Sequence, residues 1–134
     1  MTLSLDTNVL VDLVNGHGSV RRSYATSAEA LVTSSLAAHE LLFGAMISRR
    51  VDFQLDNARD LLAQLRVAEF DQDDAQVAAQ VRAWLRAKGQ TIGSLDSLIA
   101  GQALARRWTI VTANTHEFAR VEGLNIIDWT TAPD

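Results

Sequence analysis

The sequence has no cysteine, so disulfide frameworks, thiolate metal sites and cysteine nucleophiles are all excluded. It has one proline, Pro133, so no proline interrupts the body of the chain. Long apolar runs are also missing. The longest uncharged apolar stretch, residues 41–47, is far short of the roughly 20 residues that span a bilayer. Residues 1–6 have no basic segment followed by a long apolar one, so no secretory leader is expected and a cytoplasmic location is. A basic excess is lacking too: 16 acidic residues face 12 basic ones, for a net charge of −4. A sequence-blind polycation is thereby excluded, although a local basic rim can still sit beside an acidic site. Lysine occurs once, at Lys88, and the other basic residues are arginine. Arginine suits bidentate phosphate contacts, but GC-rich codon usage gives the same ratio.

What is present is an ordinary globular mix, 48% apolar and 21% charged over 134 residues, enough for one domain with its own core. Residues 1–134 read as a single domain, with 130–134 a short tail. Leu3 and Leu5 alternate with Thr2 and Ser4 as a strand that stops at Asp6. Residues 7–14 carry apolar side chains at helical spacing, 15–18 form a loop, and Ser19 caps a helix through Ala30. A strand at 31–33 precedes a strongly apolar helix from Leu36 to about Arg50, capped by Ser34 or Ser35, and another from about Asp52 to Gln64. A strand at 65–70 is followed by an amphipathic helix at 71–88 that Gly89 ends. After a loop at 90–93, a helix begins at Ser94 and runs through Arg107. Strands at 109–112 and 124–129 flank a turn of helix at 115–121. Short apolar strands alternating with helices predict an α/β fold, a short parallel sheet with helices on both faces. Ligands in such folds gather at the carboxyl ends of the strands.

Three acids stand where a featureless domain would not place them. Asp6 closes an apolar strand and opens an apolar helix, although a helix N-cap explains it equally well. Glu40 falls about 40° from Leu36 on a helical wheel, inside an apolar face. A lone carboxylate buried there costs several kcal/mol unless it finds an arginine, a cation or a proton. Asp96 occupies a first helical turn, where the macrodipole already favours it, among Leu95, Leu98 and Ile99. In a parallel sheet all three positions converge on one edge. Three clustered carboxylates repel unless protonated or bridged by a cation, and oxygen-only donors select Mg²⁺ or Mn²⁺. Such sites clamp phosphate oxygens and activate water.

Other residues carry weaker signals. His17, His39 and His116 are scattered, and the chain lacks HExxH, P-loop, GxGxxG and GxSxG patterns. Gly16 and Gly18 read as loop glycines, and Trp84, Trp108 and Trp129 as core. Arg82 and Arg86 share one helix face, a solvated face by default and a phosphate-contacting rim otherwise.

The motif Leu5-Asp6-Thr7-Asn8-Val9-Leu10 resembles the first motif of PIN-domain ribonucleases. Glu40 in Ala38-His39-Glu40-Leu41 resembles their second acidic position, and Asp96, within residues 92–100, their third. Residues 111–118, followed by 121–124 and Asp128-Trp129, resemble the C-terminal segment of the VapC-like toxins of bacterial toxin–antitoxin pairs. The resemblance spans Asp6 to Trp129. It implies a Mg²⁺- or Mn²⁺-dependent endoribonuclease acting on structured RNA, transfer or ribosomal. It also implies a homodimer inhibited by a cognate antitoxin, and Asp6, Glu40 and Asp96 as metal ligands and catalytic residues. Asn114 stands where many PIN domains carry a fourth acid, and Glu117 lies three residues on. Asn114, Glu117, Thr7 and Thr112 are therefore secondary site candidates.

The chemistry expected is in-line attack of water on a phosphodiester, leaving 5′-phosphate and 3′-hydroxyl ends. Two other readings are a receiver-like phospho-acceptor domain and a catalytically inactive RNA-binding domain. The receiver reading lacks an acidic neighbour for Asp6 and a lysine after the last strand. The inactive reading is opposed by the presence of all three acids.

Overall fold

The computed structural model describes residues 1–131. Its elements are β1 (Thr2–Leu5), α1 (Thr7–Asn15), α2 (Gly18–Thr26), β2 (Ala30–Ser34), α3 (Ser35–Met46) and α4 (Val51–Gln64). They continue with β3 (Arg66–Ala68), α5 (Gln72–Ala87), α6 (Ser94–Arg106), β4 (Thr109–Val111), α7 (Thr115–Phe118), β5 (Ile126–Ile127) and a final 3-10 turn, Trp129–Thr131.

The five strands are all parallel and ordered β3-β2-β1-β4-β5. The first strand is therefore central. The chain builds outward to one side through β2 and β3, then returns to β1's other edge with β4. The gap between β1 and β4 is the point where strand order reverses, the place where open α/β sheets bind ligands. Leu3, Leu5, Ile110 and Val111 are buried, as continuous apolar runs in a sheet covered on both faces require. One core cluster joins Leu5, Leu10, Leu41, Leu61 and Trp129, and a second joins Leu85, Ile99, Ile110, Phe118 and Val121.

Helices α5 and α6 touch at their backbones. A Cβ on Gly101 would lie 2.4 Å from Ala78 Cα and 2.5 Å from Ala78 Cβ, so only glycine permits this approach. The turn into α5 is fastened by an Asp71/Asp74 capping box and by Arg106, which donates to Asp74 at 2.9 Å and to the Glu69 carbonyl at 2.8 Å. Burial raises the Asp74 carboxyl, but its bonds from Arg106, the Asp71 backbone N–H and Gln102 outweigh burial and hold it below the usual carboxylate range.

Several boundaries differ from the sequence expectation. Helix α2 begins at Gly18, one residue before Ser19, because His17 Nδ1 accepts from the Val20 N–H and acts as the cap. Ser19 instead donates to the Trp129 carbonyl at 2.6 Å, and α2 ends at Thr26 rather than Ala30. Helix α3 stops at Met46 instead of Arg50, α7 stops at Phe118, and β3 and β5 are shorter than 65–70 and 124–129. Of the expected tail 130–134, Thr130 and Thr131 belong to the 3-10 turn, and 132–134 lie outside the described residues.

Candidate active site

Register brings Asp6 and Thr112 together. Leu5 pairs with Val111, so the residues that follow leave the sheet side by side at its carboxyl edge. Asp6 is 4% exposed. Its Oδ1 caps α1 through the Thr7 N–H at 2.8 Å, so the N-cap reading of Asp6 is correct. Its Oδ2 is left free of that duty and accepts from the Thr112 hydroxyl at 2.8 Å and from Asn8 Nδ2 at 3.3 Å. The Thr112 oxygen accepts from the Asn114 N–H at 3.0 Å, which aims its own proton at Asp6. Burial raises the Asp6 carboxyl above its ordinary range, and the bonds from Thr112 and Thr7 pull it back in part.

Asn8 is a site residue that the sequence reading did not single out. Its Oδ1 accepts from the Ala113 N–H at 3.1 Å while its Nδ2 reaches Asp6 and, at 3.2 Å, Thr112. It thereby ties the β1–α1 turn to the β4–α7 turn. The signal was its place two residues beyond Asp6, but its other partners, Thr112 and Ala113, lie more than a hundred residues away.

Asp96 sits in the first turn of α6 and is half-buried. Burial pushes its carboxyl up to about 6, assisted by the charge of Asp6, by a hydrogen bond and charge from Glu117, and by the charge of Glu40. Those four carboxylates therefore share one electrostatic neighbourhood. Asn114 Nδ2 stands between two of them, donating to Asp96 Oδ2 at 3.4 Å and to Glu117 Oε2 at 3.3 Å.

Glu40 requires a correction. The helical wheel encloses it in an apolar face, but it is half-buried. Helix α3 buries Ala37, Ala38, Leu41 and Ala45 and leaves Phe43 and Met46 exposed, with Ile47 just beyond its end exposed as well. Glu40 stands at the border and lines a recess of about 230 Å³ with Val11, Val14, Leu41 and Gln54. Thr7 contributes its backbone N–H to Asp6. His39 stacks against exposed Phe43 with ring centroids 6.5 Å apart, and His116 is exposed. Trp108 and Trp129 are core residues as expected, whereas Trp84 is half-buried under Lys88.

Among the described residues no three His, Cys, Asp or Glu side chains already form a metal cage. The donor chemistry nonetheless fits a hard divalent cation: every candidate ligand is oxygen, and mutual repulsion and burial disfavour their joint ionisation without one.

The PIN domain family model matches residues 3–124. The tRNA(fMet)-specific endonuclease VapC of Shigella flexneri is 35% identical over 127 residues, 94% of this chain and 96% of its own. The ribonuclease VapC2 of Rickettsia felis is 31% identical over 135 residues, 96% of this chain and 98% of its own. Among solved structures, VapBC2 from Rickettsia felis bound to a promoter DNA fragment superposes with a TM-score of 0.90 at 29% identity, covering 96% of this chain and 99% of that one. DNA-bound VapBC from Salmonella typhimurium gives 0.88 at 32% identity over 96% and 98%. With its parallel sheet, its acids at the β1–β4 switch point and this similarity along almost its whole length, the chain belongs to the PIN-domain family, among the VapC ribonucleases.

Proposed function

We propose that this protein is the toxin of a toxin–antitoxin pair, a Mg²⁺- or Mn²⁺-dependent endoribonuclease that cuts structured RNA and works in the cytoplasm. The observation that carries this reading is the hydrogen-bonded chain from Asp6 through Thr112 and Asn114 to Asp96 and Glu117 at the strand-order reversal, with Glu40 near enough to add its charge. Asp6, Glu40 and Asp96 are the residues that hold the cation. A cation held there supplies charge neutralisation at the scissile phosphate and acidity to the attacking water. Thr112 and Asn8 keep Asp6 oriented. Asn114 keeps Asp96 and Glu117 adjacent, so that one of these carboxylates can take the proton as water attacks phosphorus. As the water oxygen bonds to phosphorus the P–O3′ bond breaks, and the 3′ oxygen takes its proton from solvent water, giving 5′-phosphate and 3′-hydroxyl products. The transfer RNA named for the Shigella relative makes transfer RNA the first substrate to try.

The partner reading rests on the other exposed surface. Phe43 is 51% exposed, Met46 53%, Ile47 68% and Phe53 49%, a contiguous stretch of chain at the α3–α4 junction. It adjoins the recess that Glu40 lines. An antitoxin segment with apolar anchors and an arginine fits both features, the anchors on α3–α4 and the guanidinium toward the acids. A second copy of the chain, in a homodimer, covers apolar surface left over.

The test is incubation of end-labelled transfer RNA with the purified protein plus Mn²⁺, plus Mg²⁺, or plus EDTA. Discrete metal-dependent cuts whose 5′ ends are phosphorylated are expected. Cleavage unaffected by EDTA, or products with cyclic phosphates, would overturn the mechanism. Expression alone should arrest bacterial growth, and co-expression with the adjacent reading frame should relieve it. Harmless expression of an RNA-cleaving preparation would overturn the toxin assignment.

A further inference from the structure

Asp6, Glu40, Asp96 and Glu117 repel any phosphate near the scissile one, and the whole chain carries −4. An RNA strand therefore needs cations close to the acids. Four of the twelve basic residues, Arg82, Arg86, Lys88 and Arg120, gather around one loop, residues 88–93, which leads directly into the α6 turn bearing Asp96. Arg120 Nη1 donates to the Thr91 carbonyl at 2.9 Å, fixing that guanidinium against the loop. Arg82 Nη2 reaches Ser94 Oγ at 3.5 Å, in the turn that carries Asp96. Lys88 Nζ lies 4.1 Å above the Trp84 ring.

The loop has a hollow on each side. One, of about 480 Å³, is lined by Arg82, Arg86, Thr91, Ile92, Ser97 and Leu98. The other, shallow and about 650 Å³, is lined by Trp84, Lys88, Gln90, His116, Arg120 and Glu122. The first adjoins the residues that follow Asp96, and the second adjoins the residue before Glu117. Among the described residues no carboxylate pairs with Arg82, Arg86 or Lys88. Arg106 shows the contrast, since its guanidinium is committed to Asp74 and Asp71.

We infer that loop 88–93 and its flanking Arg82, Arg86, Lys88 and Arg120 form a contact surface for the sugar–phosphate backbone of a single-stranded RNA stretch beside the acidic centre. The inference deepens the nuclease reading and rests on it for the identity of the strand. Arginine fits bidentate phosphate contact, and Trp84 under Lys88 offers a partly exposed aromatic edge beside it. Ser94 lies two residues before Asp96, a rise of about 3 Å along α6, so the Arg82 guanidinium is held against the turn that carries Asp96. The competing occupant is a second copy of this chain, docked on the apolar floor of the first hollow.

The test uses the full chain with R82Q and R86Q combined, and R66Q on exposed β3 as control. Binding of a fluorescent single-stranded oligoribonucleotide is followed by anisotropy in EDTA across a salt series, and cleavage is followed with Mn²⁺. The double variant should bind about tenfold more weakly. Its slope of log K against log salt should fall by about 1–2, at roughly 0.7 per lost phosphate contact. Its cleavage loss should fall in KM rather than kcat. R82K should regain part of the affinity, and the control should match the native chain. Unchanged affinity and slope in the double variant would overturn the inference. A change of oligomer mass in sedimentation with the slope intact would also overturn it and assign the hollow to copy–copy contact. A native chain that binds RNA with the expected slope but never cuts it would overturn the nuclease reading alone.

Discussion

The Thr112 hydroxyl donates to Asp6 Oδ2 at 2.8 Å across 106 positions of sequence. This bond is directional, because the Asn114 N–H occupies the hydroxyl's acceptor side. Thr112→Val keeps the shape and removes the donor. We expect Mn²⁺ affinity and cleavage to fall about 10–100-fold, the usual effect of losing a group that orients a ligand. Stability should drop by about 1–2 kcal/mol. Calorimetric titration with Mn²⁺ and a thermal melt check both, and unaltered affinity would show that Asp6 does not depend on Thr112.

Asp96 sets a pH dependence with a definite sign. Its folded pKa of about 6 lies above the ordinary 3.8, so the folded protein binds the extra proton between those values. Stability of the metal-free protein therefore declines as pH rises from about 4 to about 6. Asp96→Asn removes that contribution, and its melting temperature relative to the native chain should rise across the same window. Cleavage by this variant should fall at least about 100-fold, the loss that the proposed cation-holding role of Asp96 entails. Differential melts at pH 4 and pH 7, with the RNA assay, decide it; a variant that unfolds or stays active contradicts the assignment.

Asn114 bridges two carboxylates with one amide nitrogen. Asn114→Asp exchanges that donor for a third negative charge. The metal-free protein should lose stability, and Mn²⁺ should bind more tightly, with a second ion able to enter. The native chain should take up at most one tightly held ion without RNA. Two tight sites in the native chain, by titration, would show that Asn114 does not limit how many ions enter. Glu117→Gln should reduce cleavage less than Asp96→Asn does.

Gly101→Ala probes the α5–α6 contact. The added methyl meets backbone at 2.4 Å rather than a yielding side chain tip. A loss of about 3 kcal/mol in urea unfolding is expected. A loss below about 0.5 kcal/mol, within the range of harmless surface changes, would mean that the helices separate freely.

Much of the site is local, and local features are readable. Asp6 closes a strand and Asp96 opens a helix, so each announces its place at a sheet edge from its neighbours alone. Asn8 and Thr112 are different, because their bonds depend on which strand lies beside β1 and in what register. Glu40 shows a second limit: a wheel orders the faces of α3 but does not say which flank other elements cover, and the flank of Phe43 is left uncovered. At α2, Ser19 has the stronger capping preference, yet His17 holds the position because Ser19 is engaged with Trp129. The rim around loop 88–93 joins α5, the loop and the turn after α7, three segments that only the packing makes neighbours.

Central β1 precedes the other four strands in the chain but is completed late. Its inner partner β4 lies beyond residue 108, and Thr112, Asn114 and Glu117 follow it. A chain that has emerged only through α6 holds Asp6, Glu40 and Asp96 but lacks Thr112 against Asp6 and Asn114 against Asp96. The carboxylate site is thus completed in one step, when β4 docks beside β1, rather than accumulating strand by strand. Before that docking, Asp6 is held only by its own turn, through the Thr7 N–H and Asn8 Nδ2.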